Sequence, residues 1–363
     1  MQMLMNTIQR RLCLGVALIA LTSASAALAQ APKKVTIAVG SGFIDVGYPT
    51  ETLPLYLGYW KSEGYDVELV PAGGSLQAIQ QMVGGNADFA EVNATPVIQA
   101  NADHGLPVRI VLTNAVINWS IAVPKASPIK EPKDFRGKTI GVFNLATGNL
   151  ALLHSYLSNA GLEKGDYQLL PIGIGAPVIE ALKSNKVDAV FYWGSAIAAF
   201  GNLLELRRFA GDDWKTYPDY SLTVMQKTID KDPAMVVAIA RGMAKATTFA
   251  LENPDCARRV FYANNKMTLA AGMTEEMQTK RDLSVVNEQL AAGKHAIALG
   301  GGRLVGNSDP KAYDELQRFL AASGQIKATV PSAQILASIP DLAVKANDFD
   351  SAAIKKAANE CKL

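Results

Sequence analysis

Gly85-Asn86-Ala87-Asp88-Phe89-Ala90 and Asn185-Lys186-Val187-Asp188-Ala189-Val190 are the two stretches whose comparison decides how this chain folds. The first is preceded by Ile79 to Met82, the second by Val178-Ile179-Glu180-Ala181-Leu182. Both precursors have helical apolar spacing, and each leads through an aspartate into a short strand. Further out, Lys34-Thr36-Ile37-Val39 is echoed by Lys138-Thr139-Ile140-Gly141-Val142. The same pieces recur in the same order at an offset of about 100 residues, which predicts two α/β halves of similar plan and not a short-period solenoid.

Each half reads as alternating strands and helices. Val35 to Val39 is a buried-strand candidate that ends at Gly40-Ser41-Gly42. Residues 48–63 read as one helix, with Leu53, Tyr56, Leu57 and Trp60 on one face, Pro54 in its first turn and Gly64 as its stop. Ser75 and Thr95 are the expected caps of the next two helices. Val108 to Leu112 is a further strand, and the second half repeats the series from about Trp119 to Tyr220. Alternation of this kind argues for α/β architecture with mostly parallel sheets. Past Asp230 strand signals fade. Met235, Ile239, Met243 and Ala246 share a helical face, and residues 253–262 and 310–323 read as further helices around the loop Gly300-Gly301-Gly302.

The N-terminus has the layout of an export signal. Arg10 and Arg11 precede an apolar run from Leu12, and Ala27-Leu28-Ala29 before Gln30 fits the small-x-small cleavage pattern. The run is too short to span a bilayer, and no later stretch is expected to do so. Removal of residues 1–29 takes both arginines with it, so the 35 Lys+Arg of the full chain come down to match the 33 Asp+Glu. A neutral chain of this length suits two domains and carries no electrostatic footprint for nucleic acid. Cys256 and Cys361 remain after the leader. In an oxidising compartment they can pair or stay as two buried thiols; pairing, the favoured reading, ties the tail to a helix about a hundred residues upstream.

Little in the chain suggests catalysis. His104, His154 and His295 lie far apart with no Cys or acid at metal-ligand spacing, and neither a nucleophile elbow nor a Walker loop occurs. Asp88 and Asp188 read as strand-start turn formers and Trp60 as core. What stands out is a set of four strand-to-helix loops: Gly40-Ser41-Gly42-Phe43, Asn93-Ala94-Thr95, Ala146-Thr147-Gly148-Asn149 and Tyr192-Trp193-Gly194-Ser195. Ligands of open α/β sheets bind at such strand ends, where helix N-termini offer free N–H groups.

The order of motifs then resembles a known family. Leu53-Pro54-Leu55-Tyr56, Glu63-Gly64-Tyr65-Asp66-Val67-Glu68-Leu69, Gly73-Gly74-Ser75 and Gly85 to Phe89 are similar to the first lobe of the ABC solute-binding proteins for aliphatic sulfonates, taurine, nitrate and thiamine pyrimidines. Val123-Pro124-Lys125, Ser127-Pro128-Ile129 and Asp134 to Val142 resemble the start of the second lobe, Lys186 to Ala189 its late strand, and Glu252 to Asp255 with Ala346 to Asp350 the C-terminal helices.

The resemblance implies a type II periplasmic-binding-protein fold: two lobes, a two-segment hinge near 119–123 and 220–224, and C-terminal helices packed on the first lobe. Lobe 1 would comprise residues 30–121 and 222–363, and lobe 2 residues 122–221. A small molecule would bind between them and close the hinge, and the closed form would dock on a membrane permease. By position, lobe 1 would contribute Ser41, Gly42, Phe43, Tyr48, Asn93 and Thr95. Lobe 2 would contribute Thr147, Gly148, Asn149 and Trp193, with Trp119 near the hinge. The four loops hold no Arg or Lys, which favours a polar organic ligand, aromatic or heterocyclic, over an inorganic anion. The resemblance further implies a periplasmic monomer with no metal, no cofactor and no inserted membrane segment. An exported sensor shares the binding step. A pyrimidine-synthesising enzyme of the same fold would need a cysteine cluster that this chain lacks.

Overall fold

The computed structural model describes residues 31–267, 269 and 272–362. The leader expected over residues 1–29 lies outside them. β1 (Lys33–Val39) is followed by α1 (Pro49–Tyr56), α2 (Tyr59–Ser62), β2 (Tyr65–Pro71), α3 (Ser75–Val83), β3 (Phe89–Val92), α4 (Ala94–His104) and β4 (Val108–Thr113). A second series runs β5 (Ser120–Pro124), β6 (Thr139–Val142), α5 (Leu150–Ser158), β7 (Gln168–Pro171), α6 (Ala176–Lys183), β8 (Ala189–Tyr192), α7 (Gly194–Gly201) and β9 (Leu206–Phe209). β10 (Ser221–Met225) opens the C-terminal region of α8 (Gln226–Lys231), α9 (Pro233–Glu252), α10 (Pro254–Asn264), α11 (Glu275–Leu299), α12 (Pro310–Ala322), α13 (Leu342–Ala346) and α14 (Ser351–Glu360).

The strands form two five-stranded sheets, ordered β2-β1-β3-β10-β4 and β7-β6-β8-β5-β9. In each, the first three strands are parallel and the fourth runs antiparallel to both neighbours. The repeat read from the sequence is therefore a repeat of topology, and its aspartates have matching tasks. Asp88 Oδ2 accepts the Thr36 N–H at 2.9 Å, and Asp188 Oδ2 accepts the Thr139 N–H at the same distance. Each carboxylate satisfies the backbone of the neighbouring first strand, a structural duty and not a catalytic one.

The chain leaves the first sheet after Thr113 and returns to it at Ser221. The two crossing segments run side by side: Val116 bridges Pro218, the Asn114 N–H donates to the Tyr220 carbonyl at 2.8 Å, and the Asp219 N–H donates to the Ala115 carbonyl at 2.8 Å. The crossings thus begin a few residues before the positions the sequence suggests, and β5 belongs to the second sheet from Ser120 onward.

One face of the first sheet, with Ile37, Phe89, Leu222 and Val224, packs on Val236, Ile239 and Met243 of α9; Trp60 plugs the same layer and donates its indole N–H to the Ile239 carbonyl at 2.9 Å. α9 is, by length and composition, apolar enough to cross a membrane, contrary to the sequence reading, but 72 % of its apolar window is buried inside the protein, as befits a core helix. The second sheet buries Val190 and Tyr192 against α6 and α7, and Ile140 and Phe191 against α5.

Several local readings change. The single helix predicted over 48–63 is two helices, because Gly58 takes a left-handed φ of +70° between them; Pro54 sits inside α1 near its end, not in the first turn. Ser75 and Thr95 lie inside α3 and α4, whose caps are Gly74 and Asn93. The C-terminal helices are not confined to the first half. α9, α10, α13 and α14 cover it, but α11 lies along α7 and α12 touches α5, both in the second half. α11 has no single apolar stripe in its sequence because it serves both partners.

Cys256, on α10, and Cys361, just past α14, form a disulfide, with S–S 2.02 Å. The bond closes a loop with a sequence separation of 105 residues, worth about 5 kcal/mol in unfolded-state entropy. Replacing both cysteines with alanine is expected to lower the melting temperature by about 7 °C, given ~2.1 cal/mol/K of unfolding entropy per residue. Reductant should lower the wild type alike and leave the variant unchanged in a thermal melt.

Candidate functional site

The carboxyl ends of the parallel strands of both sheets face one cavity that opens to solvent. Its wall takes Gly40, Ser41 and Tyr48 from the loop after β1, Asn93 from the end of β3, Phe143, Thr147 and Gly148 from the loop after β6, and Trp193 and Ser195 from the end of β8. The crossing segments supply Ala115, Asn118, Trp119, Asp219 and Tyr220, and α11 supplies Gln289. The space among these atoms is about 600 Å³.

Seven of the eleven residues expected from sequence line this one space: Ser41, Tyr48, Asn93, Trp119, Thr147, Gly148 and Trp193. The other four do not. Phe43 lines an adjoining apolar pocket with Trp193, Ala196 and Phe200. Gly42 faces the Phe143 ring. Thr95 is wholly buried and its hydroxyl has no partner among the described residues. Asn149 is also wholly buried and serves the cavity through Asp219.

Asp219 was missed, and it is the centre of the arrangement. Asn93 Nδ2 from the first half donates to its Oδ1 at 3.0 Å; Asn149 Nδ2 from the second half donates to Oδ1 at 3.1 Å and to Oδ2 at 3.0 Å. Burial lifts the Asp219 carboxyl to about 7, against the pull of Asn149, Asn93, the Ala94 N–H and the Trp119 indole. One side chain on a crossing segment therefore ties both halves together.

Other contacts show the halves drawn together. Asn144 Nδ2 donates to the Gly73 carbonyl at 2.6 Å. Phe43 lies 6.1 Å from Phe143 and 6.2 Å from Trp193, ring centre to ring centre. Gly148 sits so close to Ser75 and Asn93 that a Cβ on it would collide with Asn93 Oδ1 and come within 2.8 Å of Ser75 Oγ. Trp119, Trp193, Phe143, Tyr48 and Tyr220 give the wall its aromatic character, with Trp119 and Trp193 meeting at 5.5 Å.

This geometry, two matching sheets closed over a cavity at their strand ends, has a counterpart in sequence. The family described as NMT1/THI5 like matches residues 53–257, more than half of the chain. The chain belongs to this family. No curated protein sequence matches it. Among solved structures, the alkanesulfonate-binding protein SsuA from Xanthomonas axonopodis pv. citri, bound to MOPS, superposes with a TM-score of 0.61 at 15 % identity, covering 84 % of this chain and 98 % of that one. The periplasmic aliphatic sulphonate binding protein SsuA from Escherichia coli gives 0.60 at 16 %, covering 85 % and 92 %. The desulfurization enzyme DSZB gives 0.54 at 17 %, covering 86 % and 98 %. At these identities the likeness establishes the fold, which is that of periplasmic binding proteins. NMT1/THI5-like membership and this fold agree with the resemblance read from the motifs.

Of the wall residues not assigned to the ligand from sequence, Ser195 lies within a quoted loop, Phe143 directly follows the strand motif that ends at Val142, and Asp219 and Tyr220 lie just before β10. Their signal was their place at a strand end or crossing. Gln289 had none.

Proposed function

We propose that this chain is the solute-binding component of an ABC importer. It captures a small polar organic molecule in the periplasm between one lobe built on the first sheet and another built on the second, and hands it to a membrane permease. The observation that carries this reading is the cavity at the strand ends of two like sheets, spanned by two adjacent chain crossings. Such a layout lets the lobes swing about the crossings, and a ligand that touches both shifts the population toward the closed form. Ser41, Asn93, Thr147 and Ser195 are the polar contacts of the proposal, and Trp119, Trp193 and Tyr48 its apolar walls.

Binding without catalysis is the reading the wall chemistry supports. The hydroxyls of Ser41, Thr147 and Ser195 share the cavity with no Lys or His among the described residues, and the two described cysteines are bonded to each other. Asp219, the acid in the wall, is engaged by four donors.

A thermal-shift panel on the purified exported chain tests the proposal, with sulfonates, nitrate, pyrimidines, amines, aromatic acids and amino acids. A ligand at a hundred times its dissociation constant adds about 2.7 kcal/mol to stability. Trp193→Ala and Thr147→Ala are each expected to weaken binding of any hit by about tenfold while the ligand-free melting temperature stays within a few degrees. A hit whose affinity ignores both changes would place the site elsewhere, and a hit consumed with product formation would make the chain an enzyme.

A further inference from the structure

The charge inventory around the cavity is one-sided. No wall residue among those described is Lys, Arg or His, and Asp219 is an acid. The imbalance grows behind the wall. Glu51, in the first turn of α1, and Glu91, on β3, are 3 % and 0 % exposed. Both act electrostatically on the wall residue Tyr220, and Glu51 also on Tyr48. Asn114 Nδ2 donates to Glu91 Oε1 at 2.6 Å, while Oε2 has no partner among the described residues. Asp45 also acts on Tyr48; the base that faces Asp45 is Arg281 on α11, which is ion-paired with the buried Asp282.

Two of the helix N-termini that an anion would use, both in the first half, are taken. Helix N-termini attract anions, but the N-terminus of α4 is occupied by the protein's own carboxylate: Asp219 accepts from the Ala94 N–H and from the Asn93 amide. At the start of α3, Gly74 lies against the Ala146 carbonyl, and the Ser75 hydroxyl donates to Asn93 Oδ1 at 2.9 Å. A cation would find five rings in the wall, and the faces of aromatic rings carry the negative side of their quadrupole.

We propose that the cavity selects a small organic cation, an ammonium or amidinium group on a flat or compact apolar body, and not the sulfonate for which its structural neighbours are named. This rests on the solute-binding reading above and specifies its ligand. Burial pushes Glu51 up to about 8 and Asp219 to about 7, and moves Glu91 and Asp45 upward as well. An entering cation favours the charged carboxylates, so binding releases a proton and tightens as pH rises.

Isothermal titration of the purified chain with benzamidinium, its neutral isostere benzamide, and benzenesulfonate, at pH 6 and pH 8, tests this. Benzamidinium is expected to bind at least about tenfold tighter than either other probe and several-fold tighter at pH 8 than at pH 6. Its heat should depend on the buffer's ionisation enthalpy in the sense of proton release. In Glu51→Gln the preference for benzamidinium over benzamide should shrink several-fold with benzamide affinity unchanged. Benzenesulfonate binding as tightly as benzamidinium, or benzamide binding equally, overturns the charge assignment and leaves solute binding standing. If none of the three binds, the charge assignment falls, and solute binding is judged by the wider panel.

Discussion

Gly148→Ala is expected to reduce ligand affinity about a hundredfold while leaving the ligand-free chain folded and nearly as stable. Gly148 lies on the loop after β6, and its neighbours across the cavity, Ser75 and Asn93, belong to the other half. A methyl group there meets Asn93 Oδ1, Ser75 Oγ at 2.8 Å and Ser75 Cβ at 2.9 Å. Asn93 cannot swing away freely, because its amide holds Asp219 and its Oδ1 accepts from Ser75. The clash therefore exists only when the halves are together. Overpacking of this kind costs about 1–3 kcal/mol, and the upper end corresponds to a hundredfold in affinity. Gly74→Ala attacks the same contact from the opposite side, since its Cβ would stand 2.7 Å from the Ala146 carbonyl. The double variant should be little worse than either single one, because both exclude the same closed state. Titration gives the affinities, and small-angle scattering should show the variants staying expanded at ligand concentrations that compact the wild type. Wild-type affinity in Gly148→Ala would show that closure of this seam is not part of binding.

Asp219 explains why the two halves meet with such close contacts. It sits on the second crossing and takes one amide from each half, so its bonds are complete only when Asn93 and Asn149 approach it together. The aromatic wall alone would allow a looser fit; two amides on one buried carboxyl fix the register of one half against the other.

The parts of this arrangement were unequally legible in the sequence. The two halves were readable because they are written twice: Asp88 and Asp188 follow helices of like apolar spacing and perform the same backbone bond. The four strand-end loops were readable because small polar residues recur at four strand-to-helix junctions in two like halves. Asp219 was not, because an isolated acid near a strand gives no hint that two asparagines, 126 and 70 positions away, converge on it. Thr95 and Asn149 were assigned to the ligand from loop position, but which way a side chain turns within such a loop is decided by its tertiary partners. α11 was invisible for a related reason: a helix wedged between two halves buries Val285, Val286 and Leu290 along with Gln278 and Asp282, and that mixture shows no single face.

The same buried acids at and behind the cavity wall should make the protein most stable near pH 4 and weaken it markedly by pH 8.5. Glu51 moves from an ordinary value of 4.5 to about 8 in the fold, and Asp219 from 3.8 to about 7, both chiefly through burial. Glu91 and Asp45 shift upward for the same reason. A folded state that holds its protons more tightly than the unfolded chain gains stability below the unfolded values and loses it as pH rises through the folded ones. The loss therefore falls between about pH 4 and pH 8. At about 1.4 kcal/mol per pH unit of displacement, the combined loss is on the order of several kcal/mol, less than additive because Glu51 and Glu91 feel each other. On the acid side Asp232 works in the opposite sense. Its bond to Lys33 Nζ at 2.7 Å holds it below 3.8, and that contribution is lost as pH falls through its folded value. Thermal melts of the ligand-free chain should thus peak near pH 4 and fall by about 5 °C or more by pH 8.5. Glu51→Gln should flatten the descending limb and melt above the wild type at pH 8.5, since a neutral amide has no charge to desolvate and can donate toward Glu91. A profile that rises steadily from pH 5 to pH 8.5, or a Glu51→Gln limb as steep as the wild type's, would show that these carboxyls ionise freely and that the cavity is wetter than its burial implies.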